Sequence, residues 1–130
     1  MLDAELVTDK HFSKEYIEEL IKRHGWSCAL ESGDKPKDLY ILNEKGKSIC
    51  WLTLNGVDVK GGEKYPDDLF PEEIEEDLKN KLFADFKPHY NFLSYFSDTG
   101  NDLLKFFHML KEDGLKVFYS LEDDKEFKKL

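Results

Sequence analysis

A metal site or a nucleophile in this chain would have to be built from four histidines, at positions 11, 24, 89 and 108, and two cysteines, at 28 and 50. Structural zinc sites draw on closely spaced pairs of ligands. Neither cysteine belongs to a Cys-x-x-Cys pair, and the histidines are too scattered for a local metal motif. Glycine-rich phosphate loops, the Gly-x-Ser-x-Gly elbow and His-Glu-x-x-His are all missing from the sequence. Carboxylates are abundant, with 28 acids in 130 residues. None stands out by the apolar setting that raises a pKa for acid–base work. The expectation is therefore no catalytic residue, no metal, no cofactor, and two reduced, mostly buried thiols.

Charge and aromatic patterning are more informative. Between Pro66 and Leu78 stand seven acids, Asp67, Asp68, Glu72, Glu73, Glu75, Glu76 and Asp77, and no base. A helix dipole favours acids only in its first turn. Like charges three and four apart, such as Glu72 with Glu75 and Glu76, repel by a few tenths of a kcal/mol. A run that tolerates this repulsion fits a basic partner. An aromatic stretch follows from Phe83 to Phe96. Interfaces favour Tyr and Trp as anchors, which singles out Tyr90, Tyr95 and Trp51.

These residues need elements to hold them. Residues 13–24 predict a first helix, with Ser13 as N-cap, Phe12 and Ile17 as a hydrophobic staple, Ile17, Leu20 and Ile21 inward, and Gly25 as its stop. Residues 26–60 predict an antiparallel meander: Trp26–Glu31, Leu39–Leu42, Ser48–Leu54 and 57–60. A turn at Asn43-Glu-Lys-Gly46 sets Ile41 opposite Ile49 and Leu39 opposite Trp51. Asn55-Gly56 predicts a tight hairpin pairing Leu54 with Val57 and Leu52 with Val59. Both faces of that meander are apolar, so it is either covered twice or carries a binding surface around Trp51. Pro71 opens a second helix over 71–84 with Ile74, Leu78 and Leu82 inward. A third, 101–112, buries Leu103, Leu104, Phe107 and Leu110 and ends at Gly114. Leu115–Ser120 alternates as a last strand before a short charged tail. The fold class expected is α+β: an N-terminal helix, an antiparallel meander of about four strands, two helices, a further strand and a tail, in one domain over 1–130.

Composition narrows the partners. A formal charge of −9 repels phosphate backbones and anionic membrane surfaces. Arg23 is the sole arginine, where nucleic-acid readers use several. No segment nears the about eighteen apolar residues of a membrane helix, and the first residues carry no leader pattern, which points to a cytoplasmic protein without direct nucleic-acid binding.

A small acidic α+β chain without catalytic motifs, carrying the Asp67–Asp77 run, resembles the immunity proteins of bacterial toxin–immunity pairs. That resemblance implies an intracellular inhibitor that binds and neutralises a basic toxin domain such as a nuclease. Two other readings stand beside it. One is a secretion-type chaperone cradling a disordered segment; the other is a small enzyme or ligand-binding domain with a pocket between the sheet and the aromatic run. The oligomeric state is left open.

Overall fold

The computed structural model describes residues 2–10, 13–30, 38–55, 58–59, 85–86, 88–121 and 127–130. The chain opens on a strand, β1 (Leu2–Thr8), and not on a helix. Helix α1 (Lys14–Lys22) follows, then β2 (Ser27–Leu30), β3 (Asp38–Leu42), β4 (Ser48–Asn55), β5 (Asp58–Val59) and β6 (His89–Tyr95). A short 3-10 turn, Ser97–Thr99, leads into helix α2 (Gly100–Glu112), then β7 (Val117–Leu121) and β8 (Lys128–Lys129). The sheet is antiparallel throughout, in the order β2-β3-β4-β6-β1-β7-β8, with β5 paired to β4.

The N-terminal strand lies near the middle of the sheet because its residues alternate. Leu2, Ala4, Leu6 and Thr8 point to one face; Asp3, Glu5 and Val7 point to the other. It is flanked by β6 (Leu2 opposite Tyr95) and by β7 (Ala4 opposite Leu121). Both neighbours run against β1, so they run parallel to each other, and α2 is the crossover that joins them. The other crossover is α1, carrying the chain from β1 to the far edge at β2. Such crossovers are right-handed almost without exception. The two start from antiparallel strands and move in opposite directions, so a shared hand sets both helices on one face of the sheet.

The core lies on that face. Ile17, Leu20 and Ile21 from α1, and Leu103, Phe106, Phe107 and Leu110 from α2, pack on Ala4, Leu6, Leu39, Ile41, Ile49, Cys50, Leu52, Leu93 and Val117. Helix α1 has the expected cap, with Ser13 Oγ accepting from the Tyr16 N–H at 3.2 Å, and it stops at Gly25, whose φ is +78°. The partner of the expected staple, Phe12, lies outside the described residues. Helix α2 buries Phe106 and Met109 in addition to Leu103, Phe107 and Leu110, while Leu104 is only partly covered. Asp113, just past α2, ties the helices together: it accepts from the Tyr16 hydroxyl and from Arg23 Nη2 at 3.2 Å.

The meander forms, one residue out of the expected register. Leu39 faces Leu52 where Trp51 was expected, and Ile41 faces Cys50 where Ile49 was expected. The turn itself is as read: Gly46 has φ +76°, and Asn43 Oδ1 accepts from the N–H groups of Lys45 and Lys47 at 3.0 Å. The slip comes from a β-bulge. Leu42 pairs with Ser48, leaving Ile49 as an extra residue, so Ile49 and Cys50 are both buried. The Thr99 hydroxyl takes up the Ile49 carbonyl at 2.9 Å. The next hairpin is also shifted, with Leu54 opposite Val59 and Asn55 opposite Asp58.

Two further corrections follow. The stretch around Phe92 is not a run packed beside the sheet but β6, a strand within it. The final strand ends at Leu121, and the tail contributes β8, whose Lys128 pairs with Tyr119. The expected helix over 71–84 lies outside the described residues. Among the described residues no helix is long and apolar enough to cross a membrane.

Two outcomes test this account. Leu6 is fully buried on the strand between the crossovers, so Leu6→Ala should lower unfolding free energy by about 2–5 kcal/mol in denaturant titration. The Tyr16 hydrogen bond, and then Arg23, hold the Asp113 carboxyl below its ordinary value. The unfolded chain therefore binds that proton more tightly; the stabilisation is complete above about pH 4 and is lost as pH falls through the depressed value. Asp113→Asn should lower the unfolding midpoint at neutral pH and flatten its decline in acid.

Candidate functional site

The face opposite the helices gathers a row of aromatic side chains. The alternation of β6 sends Phe92 and Ser94 outward, with Phe96 just past the strand end, and sends His89, Asn91, Leu93 and Tyr95 inward. Pairing then aligns one outward row across five strands: Ala29 opposite Tyr40, Tyr40 opposite Trp51, Trp51 opposite Ser94, and Ser94 opposite Asp3. Facing residues on neighbouring strands stand about 5 Å apart, close enough for their side chains to touch. The Tyr40 and Trp51 rings lie 5.7 Å apart, and Trp51 and Phe96 5.4 Å apart. Ser94 Oγ donates to Asp3 Oδ1 at 3.3 Å. A second row sets Phe92 opposite Glu5 and Glu5 opposite Ser120.

Neither α1 nor α2 covers this face. Phe92 is 47% exposed and Phe96 40%, the two most exposed aromatic side chains among the described residues. Single exposed apolar side chains are ordinary on a protein surface, but aromatics clustered on one face are less so. Further across the face, Val7 and Phe118 form a small separate cluster with Phe86 and Phe127.

Of the anchors expected from sequence, Trp51 belongs to this patch. Tyr95 does not: it is 4% exposed and packs in the core, opposite Leu2 and Cys50. Tyr90 pairs with Val7 through its backbone, and its side chain lies outside the described residues, as do Asp67, Asp68, Glu72, Glu73, Glu75, Glu76 and Asp77. Sequence reasoning missed Tyr40, Phe92, Phe96, Asp3 and Glu5. The signal was present as a period of two in Leu-Asp-Ala-Glu-Leu over residues 2–6 and again in His-Tyr-Asn-Phe over residues 89–92.

The helical face offers a different feature. His24, Trp26, Lys105, His108, Met109 and Glu112 line an open cleft of about 380 Å³ between the turn after α1 and the exposed side of α2. Lys105, His108, Met109 and Glu112 fall on one helical stripe. Among the described residues no three of His, Cys, Asp and Glu converge as metal ligands. His89 is buried beside Thr8, on the core side of the sheet. Comparisons with protein families, curated proteins and solved structures found no match. The chemistry of this chain therefore has to be argued from its own surfaces.

Both thiols are free. Cys28 and Cys50 face Ile41 from opposite sides, on strands separated by β3. That places them about 10 Å apart, beyond the reach of a disulfide. Burial, with Glu18 adding to it and Lys14 opposing, pushes the Cys28 thiol up to about 12. Burial raises Cys50 as well, with a smaller contribution from Cys28. Neither is poised as a nucleophile at neutral pH. Ellman's reagent at pH 8 should leave Cys50 unmodified and label Cys28 slowly in the native protein, with two thiols per chain appearing only in denaturant. Rapid native labelling of both would contradict the burial described.

Proposed function

We propose that this chain is a non-enzymatic binding domain for a basic protein, acting as an intracellular inhibitor in the manner of the immunity proteins it resembles. The supporting observation is the aromatic row Tyr40–Trp51–Phe96, with Phe92 beside it, on the sheet face that no described helix covers. Charge divides the work. The net −9, including the seven acids from Asp67 to Asp77, steers a cationic partner during approach. Trp51, Phe92 and Phe96 then hold it by burying ring surface, and rim charges add little to lifetime. Asp3 and Glu5 bring negative charge onto the same face.

The cleft lined by His24, Trp26, Lys105, His108, Met109 and Glu112 favours a second reading, a small-ligand domain. Its volume is near the lower end for ligand sites. It lies on the helical side, so the two readings predict different sensitive residues.

A basic protein retained by the immobilised chain and eluted by salt would supply the partner for kinetic measurement. Substituting Glu72, Glu75 and Glu76 with lysine should slow association at low salt and reduce its dependence on ionic strength. Phe92→Ala or Trp51→Ala should leave association nearly unchanged and speed dissociation about thirtyfold, the equivalent of about 2 kcal/mol for an anchor. Unchanged dissociation in both aromatic variants, with loss of binding in His108→Ala, would transfer the function to the cleft.

A further inference from the structure

The sheet ends differently at its two sides. At one side stands β8, two residues long, formed by Lys128 and Lys129, both exposed. Short edges that carry lysine are a common means of refusing further strands. At the other side stands β2, the four residues Ser27–Leu30, which include no charge and no proline. Among the described residues its sole strand partner is β3, from Ser27 opposite Leu42 to Leu30 opposite Leu39. An edge strand turns alternate N–H and C=O groups away from its one neighbour, so about half of those of β2 point outward. The side chains are open as well: Ser27, Ala29 and Leu30 are exposed, Leu30 at 41%. Leu30 shares its face with the fully buried Leu39 opposite it, so the apolar side of the sheet reaches this edge uncovered.

We propose that β2 accepts an added strand, an extended basic segment of the partner protein hydrogen-bonded along Ser27–Leu30. The proposal rests on the reading of the partner as a basic protein, and it says how part of that partner is held. In strand addition, main-chain hydrogen bonds supply affinity and alternate side chains supply specificity. On the helical face, apolar side chains of the segment meet Leu30 and Cys28, the latter already packed against the core. On the other face Ser27 and Ala29 are short and exposed, which leaves room for long side chains. Charge then selects lysine or arginine. Asp38 stands on that face, one strand in and partly exposed. Above the edge, the first turns of α1 carry Glu15, Glu18 and Glu19 against Lys14. Glu18 and Lys14 stand close enough to Cys28 to act on its thiol, which places these turns beside β2. With −9 on every chain, a second copy is repelled from the edge to which a cationic segment is drawn.

The test titrates the full chain with octapeptides in about 50 mM salt, read by calorimetry and by amide hydrogen exchange. One peptide alternates lysine and valine; a second is the same with its backbone nitrogens methylated, which keeps charge and side chains but cannot join a ladder. A third alternates glutamate and valine. The expected result is binding of the lysine peptide, weakened about tenfold or more by methylation and absent for the glutamate peptide. Alternate amides of Ser27–Leu30 should exchange readily in the free chain and slow about tenfold or more at saturation. Leu30→Ser alters an exposed side chain and should weaken the lysine peptide about fivefold. Equal binding by the methylated peptide, or β2 amides that do not respond, overturns the proposal and leaves a basic partner in place. Equal binding by the glutamate peptide overturns the selection for charge. Protection of the same amides by raised protein concentration alone gives the edge to a second copy and overturns the proposal. If no peptide binds, the proposal falls, while the reading beneath it stands or falls with the basic protein retained by the immobilised chain.

Discussion

The architecture depends on where β1 lies. A strand flanked by antiparallel neighbours on both sides makes those neighbours parallel to each other, so they must be joined by a crossover. A second crossover leaves β1 itself for the far edge. The two move in opposite directions from antiparallel strands, and chirality then gives both helices to the same side. One face is filled with Ile17, Leu20, Phe106 and Phe107, and the other receives no described helix. The aromatic row is therefore a product of connectivity. Had either crossover started from a strand of the opposite sense, a helix would lie over Trp51.

Charged groups stand on both faces of the sheet. On the helical side the ionic groups are tied to one another: Tyr16 and Arg23 converge on Asp113, and Lys14 pairs with Glu18 at 2.7 Å. These are exposed contacts of small individual energy; those to Asp113 hold the ends of the two helices together, and Lys14–Glu18 lies within α1. On the open face, the carboxylates of Asp3 and Glu5 stand on the central strand beside rings contributed by β4 and β6. Acid and ring come from opposite ends of the sequence, so only the folded sheet creates the combination.

Local signals at Ser13, Gly25 and Gly46 were read correctly, whereas the Asn55-Gly56 signal gave the wrong pairing, with Leu54 opposite Val59 and not Val57. Ser13 and Gly25 bracket α1, Gly46 closes its turn, and residues 101–112 form a helix because Leu103, Phe107 and Leu110 share a stripe. Register was not legible in the same way. A bulge adds one residue at Ile49, and a one-residue slip exchanges the faces of everything after it. That slip set Trp51 opposite Leu39 on paper, whereas in the sheet Tyr40 faces it. The same parity separates Tyr95, which is buried, from Phe96, which is exposed, although the two are adjacent and chemically alike. The N-terminal strand was overlooked for another reason. Its alternation is clear, but its value depends on partners at residues 89–95 and 117–121, and no local pattern announces a pairing across that distance.

That distance has a consequence during synthesis. The residues of β1 are made well before those of β6 and β7, and they must wait for about ninety residues of chain before either neighbour exists. Leu2 meets Tyr95 and Ala4 meets Leu121, pairings of very long sequence separation in a small domain. Loop closure of that kind slows folding, and it leaves a nascent strand with unpaired backbone groups until residues 89–121 have been made. Asp3 and Glu5, which break the apolar run of that strand, act in this interval as gatekeepers against pairing with other chains. The two carboxylates on the face opposite the helices would then serve first in keeping β1 soluble before its neighbours are made.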